Sequence, residues 1–77
     1  MNTIVLSATW CSNCTTLKKQ LDAMNVQYSI IDVDKNPEFA QKVKARSLPT
    51  TVLMKDDEVI QTFVGLKSQE IFKAVNQ

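Results

Sequence analysis

The spacing of apolar positions changes repeatedly along this chain, and each change marks the edge of an element. Thr3-Ile4-Val5-Leu6 is short, β-branched and uninterrupted, which predicts a buried strand. From about Cys11 the period lengthens. Cys14, Leu17, Leu21 and Met24 recur at intervals of three and four, forming one helix face, with Lys18, Lys19, Gln20 and Asp22 on the other. Asn25 suits the stop. Val26 to Val33 then predicts a second strand, in which Tyr28, Ile30 and Ile31 supply β propensity.

A second helix is predicted to start at Asn36-Pro37-Glu38: an N-cap, a first-turn proline and a carboxylate at the positive end of the dipole. Phe39, Ala40 and Val43 give it an apolar face, and it should end near Arg46-Ser47. Thr50 to Met54 reads as a strand, and Glu58 to Val64 as another. The short Asp56-Asp57 link makes the two an antiparallel hairpin. Beyond Gly65, a last helix over about Ser68 to Asn76 brings Ile71, Phe72 and Val75 to one face. The order is β-α-β-α-β-β-α. Strand, helix, strand calls for a parallel pair and the hairpin adds antiparallel ones, so the expectation is an α/β domain: a four-stranded mixed sheet flanked by three helices.

Composition narrows the function. At 77 residues the chain is expected to be a single domain, residues 1–77. Nine basic and eight acidic residues leave a net charge of +1, with no basic run, so neither nucleic acid nor a membrane surface is indicated as a partner. The N-terminus has no basic region and too short an apolar run for a secretory signal, and the chain is read as complete and cytoplasmic. There is no histidine and a single glycine, Gly65. The commonest general base and phosphate-binding glycine loops are therefore both excluded.

The remaining chemistry lies in Cys11 and Cys14, three residues apart at a predicted helix start. Cys11, at the extreme N-terminus, faces free N–H groups and the positive end of the dipole, which stabilise the attacking thiolate. Cys14 lies one turn in, on the apolar face. The asymmetry suits attack by Cys11 and resolution by Cys14. The cysteines alone leave other readings open. Zinc needs ligands from a second chain or from carboxylates. An iron–sulfur cluster would be shared between two chains. A structural disulfide closing so short a loop would constrain the unfolded state little.

Trp10-Cys11-Ser12-Asn13-Cys14 resembles the Trp-Cys-x-x-Cys motif of the thioredoxin family, placed between a strand and a helix. The resemblance continues through Asp34-Lys35-Asn36-Pro37, Leu48-Pro49-Thr50, the Lys55-to-Val59 hairpin and Val64-Gly65-Leu66. The family's extra N-terminal strand and helix are lacking, so the length matches compact glutaredoxins and glutaredoxin-like redoxins. The resemblance implies a thioredoxin-like fold and a dithiol–disulfide oxidoreductase, with Cys11 the nucleophile and Cys14 the resolving residue. It implies a cis Pro49 facing the pair, a Leu48 backbone that pairs with an extended substrate, and an apolar rim of Trp10, Gly65 and Leu66. Ser12, Asn13 and Thr50 complete the expected substrate-binding set. No cofactor is implied beyond the Cys11–Cys14 disulfide. The implied partners of a monomer are a thioredoxin-reductase-type flavoprotein or glutathione as donor, and a protein disulfide such as that of ribonucleotide reductase as acceptor. The rival readings are a non-catalytic binding module and a metal- or cluster-bridged dimer.

Two departures from the family stand out. The buried aspartate that thioredoxins carry six residues before the first cysteine is here Val5, so deprotonation of Cys14 lacks that carboxylate. The glutathione-binding Gly-Gly stretch of glutaredoxins is reduced to Gly65 in Val64-Gly65-Leu66-Lys67-Ser68, where Ser68 reads as a helix cap. Ser12-Asn13 contains no proline, which leaves the Asn13 N–H available to a Cys11 thiolate. Arg46 and Lys18, the other cations near the site, read as solvated surface residues.

Overall fold

A computed structural model describes residues 2–76. The elements are β1 (Asn2–Ser7), α1 (Ser12–Ala23), β2 (Ser29–Asp32), α2 (Pro37–Lys42), β3 (Thr50–Lys55), β4 (Glu58–Val64) and α3 (Ser68–Val75), in the expected order. They build a four-stranded mixed sheet in the order β2-β1-β3-β4. β1 is parallel to β2 and antiparallel to β3, and β3 is antiparallel to β4. The two central strands are those whose sequences are nearly continuous apolar or β-branched runs, as burial on both faces requires.

Alternation along the strands divides the core into two layers. On one face Val5, Leu53 and Phe63 pack with Leu17 and Leu21 of α1 and Ile71 of α3. On the other, Leu6, Val52 and Met54 pack with Phe39 and Ala40 of α2 and with Val43 and Ala45 beyond it. Leu17, Leu21 and Ile71 are fully buried. Each such side chain contributes about 1.5–3 kcal/mol through removal from water. Among the described residues no helix is long and apolar enough to cross a membrane.

Several boundaries differ from expectation, for identifiable reasons. β2 begins at Ser29, not Val26. Asn25 takes a left-handed φ of 59°, and the N–H groups of Asn25 and Val26 return to the carbonyls of Asp22 and Leu21 at 3.1 and 3.0 Å. That closure ends α1 and tucks Val26 into the core beside Leu21. α2 stops at Lys42 rather than near Arg46 by the same device: Lys44 has φ 58°, and the N–H groups of Lys44 and Ala45 bond the carbonyls of Gln41 and Ala40. Asn36 occupies the N-cap of α2 but makes no side-chain cap bond, and Lys67 rather than Ser68 stands at the N-cap of α3. Phe72, next in sequence to the core residue Ile71, is turned outward and is 40% exposed. The β3–β4 hairpin turns through Asp56 and Asp57, both at positive φ, as a two-residue link with the sheet's twist demands.

Candidate functional site

Because β1 and β2 are parallel and β3 runs against them, the ends of β1 and β2 and the start of β3 lie at one edge of the sheet: Ser7 pairs with Asp32, and Leu6 with Thr50. The chain leaves β1 through Ala8-Thr9-Trp10, where the Cys11 N–H donates to the Ala8 carbonyl at 3.2 Å. Cys11 is then the N-cap of α1, with extended backbone angles of −97° and 105°. Its Sγ accepts from the backbone N–H of Cys14 at 3.2 Å. The N–H that reaches this sulfur is thus that of Cys14, not of Asn13, because the third residue of a helix points its amide back at the cap.

Cys11 and Cys14 form a disulfide, with Cα atoms 5.3 Å apart. Cys11 is 8% exposed and Cys14 fully buried, the asymmetry expected of an attacking and a resolving sulfur. Ala8, Val33 and Leu48 pack around the pair. Leu48 is joined to Pro49 by a cis peptide bond, and the Pro49 carbonyl accepts from the Gly65 N–H at 2.9 Å. The Thr50 hydroxyl donates to the Ser47 carbonyl, which closes the turn that brings Leu48 to the cysteines. Gly65 has φ 88°, a region that favours glycine. Trp10 is 69% exposed and Leu66 is 45% exposed, and Ser12 and Asn13 face solvent. Pro49 and Thr50 are buried. Of the two cations considered, Arg46 is exposed and Lys18 half-buried.

One residue of the site escaped sequence reasoning. The indole N–H of Trp10 donates to an Asp34 carboxylate oxygen at 3.0 Å, while the Asp34 N–H donates to the side chain of Asp32 at 2.9 Å. The available signal was topological: a parallel β1–β2 pair sets the loop after β2 beside the loop after β1.

Val5, at the position of the family's buried aspartate, is fully buried. The buried polar residues described are Thr3, Ser7, Thr50, Thr51 and Ser68, all hydroxyls. Among the described residues no group of three His, Cys, Asp or Glu side chains is gathered to hold a metal ion.

A disulfide capping the first helix of a small mixed α/β sheet, with a cis-proline loop packed against it, defines a thioredoxin-fold domain. The thioredoxin family model matches residues 2–77, and the chain belongs to that family. It is 36% identical to a thioredoxin of Bacillus subtilis over 69 residues, covering 82% of this chain and 66% of the relative. It is 32% identical to thioredoxin H2 of Arabidopsis thaliana over 76 residues, covering 92% of this chain and 57% of the relative. The chain thus spans under two thirds of these relatives. Among solved structures, the thioredoxin of Malassezia sympodialis superposes with a TM-score of 0.86 at 29% identity, covering 97% of this chain and 71% of that one. Thioredoxin NaTrxh of Nicotiana alata gives 0.82 at 30% identity, with 97% and 71% covered.

Proposed function

We propose that this domain is a dithiol–disulfide oxidoreductase that passes two electrons to protein disulfides. The observation that carries the reading is the asymmetric pair: Cys11 at the N-cap of α1, bonded to the Cys14 N–H, with Cys14 wholly buried one turn behind it. In the reduced protein the Cys11 thiolate attacks a substrate disulfide. One substrate sulfur leaves as a thiolate, which takes its proton from water, and the other is held in a mixed disulfide with Cys11. Cys14 then attacks Cys11 Sγ, the second substrate sulfur leaves carrying a proton, and the Cys11–Cys14 disulfide is restored. The helix N-terminus and the Cys14 N–H favour the anionic form of Cys11.

The exposed Trp10 and Leu66 offer an apolar rim beside the cysteines, and the Leu48 backbone is proposed to pair with an extended segment of a partner protein. The proposed acceptor is a protein disulfide, such as that of ribonucleotide reductase, in the cytoplasm. The proposed donor is a thioredoxin-reductase-type flavoprotein, with glutathione the alternative. The domain acts as a monomer, and the sulfurs are the redox centre, so no bound cofactor takes part.

Reduction of insulin disulfides by dithiothreitol tests the reaction. Wild type should accelerate it and Cys11→Ser should not, whereas equal rates would end the reading. NADPH oxidation coupled through thioredoxin reductase, against glutathione with its own reductase, identifies the donor.

A further inference from the structure

The net charge is only +1, but the topology sorts the charged residues by end and by side. Ser7 pairs with Asp32, and Leu6 and Val64 both pair with Thr50, so four loops meet at the sulfur end of the sheet. The β3–β4 hairpin is at the opposite end, where Asp56, Asp57 and Glu58 outnumber Lys55. β3 has six residues, which sets the two ends roughly 17 Å apart. That exceeds the Debye length of about 10 Å at about 0.1 M salt, so the acidic hairpin does not cancel charge near the sulfurs.

The strand order divides the sulfur end into two sides, because β1, which leads to Cys11, lies between β2 and β3. On the β2 side charge is mixed: Asp32, Asp34, Lys35 and Glu38, with Asp34 bonded to the Trp10 indole. On the β3 and β4 side the loops are cationic. Residues 43–49 hold Lys44 and Arg46, residues 65–67 hold Lys67, all three are exposed, and neither stretch has a carboxylate. The Gly65 N–H on the Pro49 carbonyl ties these two loops together at 2.9 Å. Leu48 brings them to the cysteines, since it packs against the Cys11–Cys14 pair. Glu70, in the first turn of α3, is the first acidic residue beyond them.

We propose that the protein disulfide reduced by this domain lies in an acidic segment, whose Asp or Glu side chains settle against the Lys44, Arg46 and Lys67 loops on the cis-proline side of Cys11. The inference rests on the exchange reading and deepens it by giving the acceptor a charge. The apolar rim of Trp10 and Leu66 attracts partners without choosing among them, whereas a cationic segment brought to these loops is repelled. Each exposed ion pair alone adds little to affinity. Cations of one sign on adjoining loops act together on the encounter, so the preference should appear in the association rate and weaken with salt.

The test uses cyclic peptides, each closed by one disulfide and flanked by Asp, Asn or Lys, with the reduced protein as sole reductant. Acid quenching gives the second-order rate constant of reduction. At about 0.1 M ionic strength the Asp peptide should react about tenfold faster than the Lys peptide, and at about 1 M the ratio should approach one. Arg46→Glu combined with Lys67→Glu should invert the preference, while Glu58→Lys, a charge reversal at the far hairpin, should leave it in place. Any change in the Cys11 thiolate affects every peptide alike and cancels in the ratio. Equal wild-type rates at the lower salt, a preference that survives the double reversal, or an equally large shift with Glu58→Lys would overturn the proposal and leave the exchange reading standing. Should no peptide be reduced, peptides with serine in place of cysteine are titrated against the Trp10 fluorescence of the oxidised protein. Tighter binding of the Asp peptide would then support the cationic loops while removing the exchange reading, and equal binding would overturn both.

Discussion

The Trp10 indole N–H and the Asp34 carboxylate, 24 residues apart in sequence, meet at 3.0 Å and join the loop after β1 to the loop after β2. This bond holds a large, mostly exposed aromatic ring beside Cys11 without burying it, so the ring is placed yet free to be covered by a partner. Asp34→Ala should cost about 1 kcal/mol or less in stability, as the bond is exposed. Its larger effect should fall on the indole. The fluorescence of Trp10, the single tryptophan, should become more mobile in anisotropy decay, and KM for a protein disulfide should rise more than kcat falls. An unchanged anisotropy would show that the bond does not hold the ring.

Gly65 separates two costs that are usually mixed. A Cβ at this position would meet no atom within 4 Å, but φ is 88°. Gly65→Ala should therefore destabilise through its backbone alone, by about 1–2 kcal/mol, with no steric term. Denaturant unfolding checks the size. Because the Gly65 N–H also holds the Pro49 carbonyl, the same variant should weaken substrate binding.

Tyr28 provides the pH dependence. Burial is the main reason its pKa is raised above 10.0, and its hydrogen bond to Asp22 and the charge on that carboxylate act in the same direction. The phenol donates to Asp22 at 2.9 Å. A folded-state pKa above the unfolded one means that the folded chain holds this proton more tightly. The resulting stability is fully present below pH 10.0, the unfolded value, and is lost as pH rises through the folded value. As the only tyrosine, Tyr28 can be titrated by ultraviolet difference absorbance. Asp22→Asn should lower the midpoint only part of the way, since burial remains.

The packing of α1 and α3 on one sheet face rests on few side chains. Leu17→Ala should cost about 2–5 kcal/mol and Ile71→Val about 0.5–1.5 kcal/mol. A chain of this size has roughly 4–12 kcal/mol to lose, so Leu17→Ala should bring unfolding close to room temperature while Ile71→Val stays folded. Thermal melts of the oxidised proteins measure both.

The sheet was legible because β1 and β3 are continuous apolar or β-branched runs, and α1 because Cys14, Leu17 and Leu21 hold one period. The two misplaced element boundaries share a cause. Val26 and Val43 to Ala45 continue an apolar pattern beyond their elements, because the left-handed closures at Asn25 and Lys44 fold the next apolar residues onto the core. Residue pattern records burial, not the dihedral that achieves it. At the site, the cysteines and Leu48-Pro49 were readable as local motifs. The partnership of Asp34 with Trp10 arises only when strands are set side by side, and no local spacing encodes it.

Cys11 caps α1 with the same sulfur that forms the disulfide. Folding and electron transfer therefore share one atom, and thermodynamic closure ties their free energies together. Whatever the helix start gains on passing from disulfide to thiolate appears, with equal size, as a shift in reduction potential. An oxygen can take over the capping half of this dual office and a methyl group neither half. Cys11→Ser should thus leave the helix intact while silencing exchange, and Cys11→Ala should give up the cap as well, at about 1 kcal/mol.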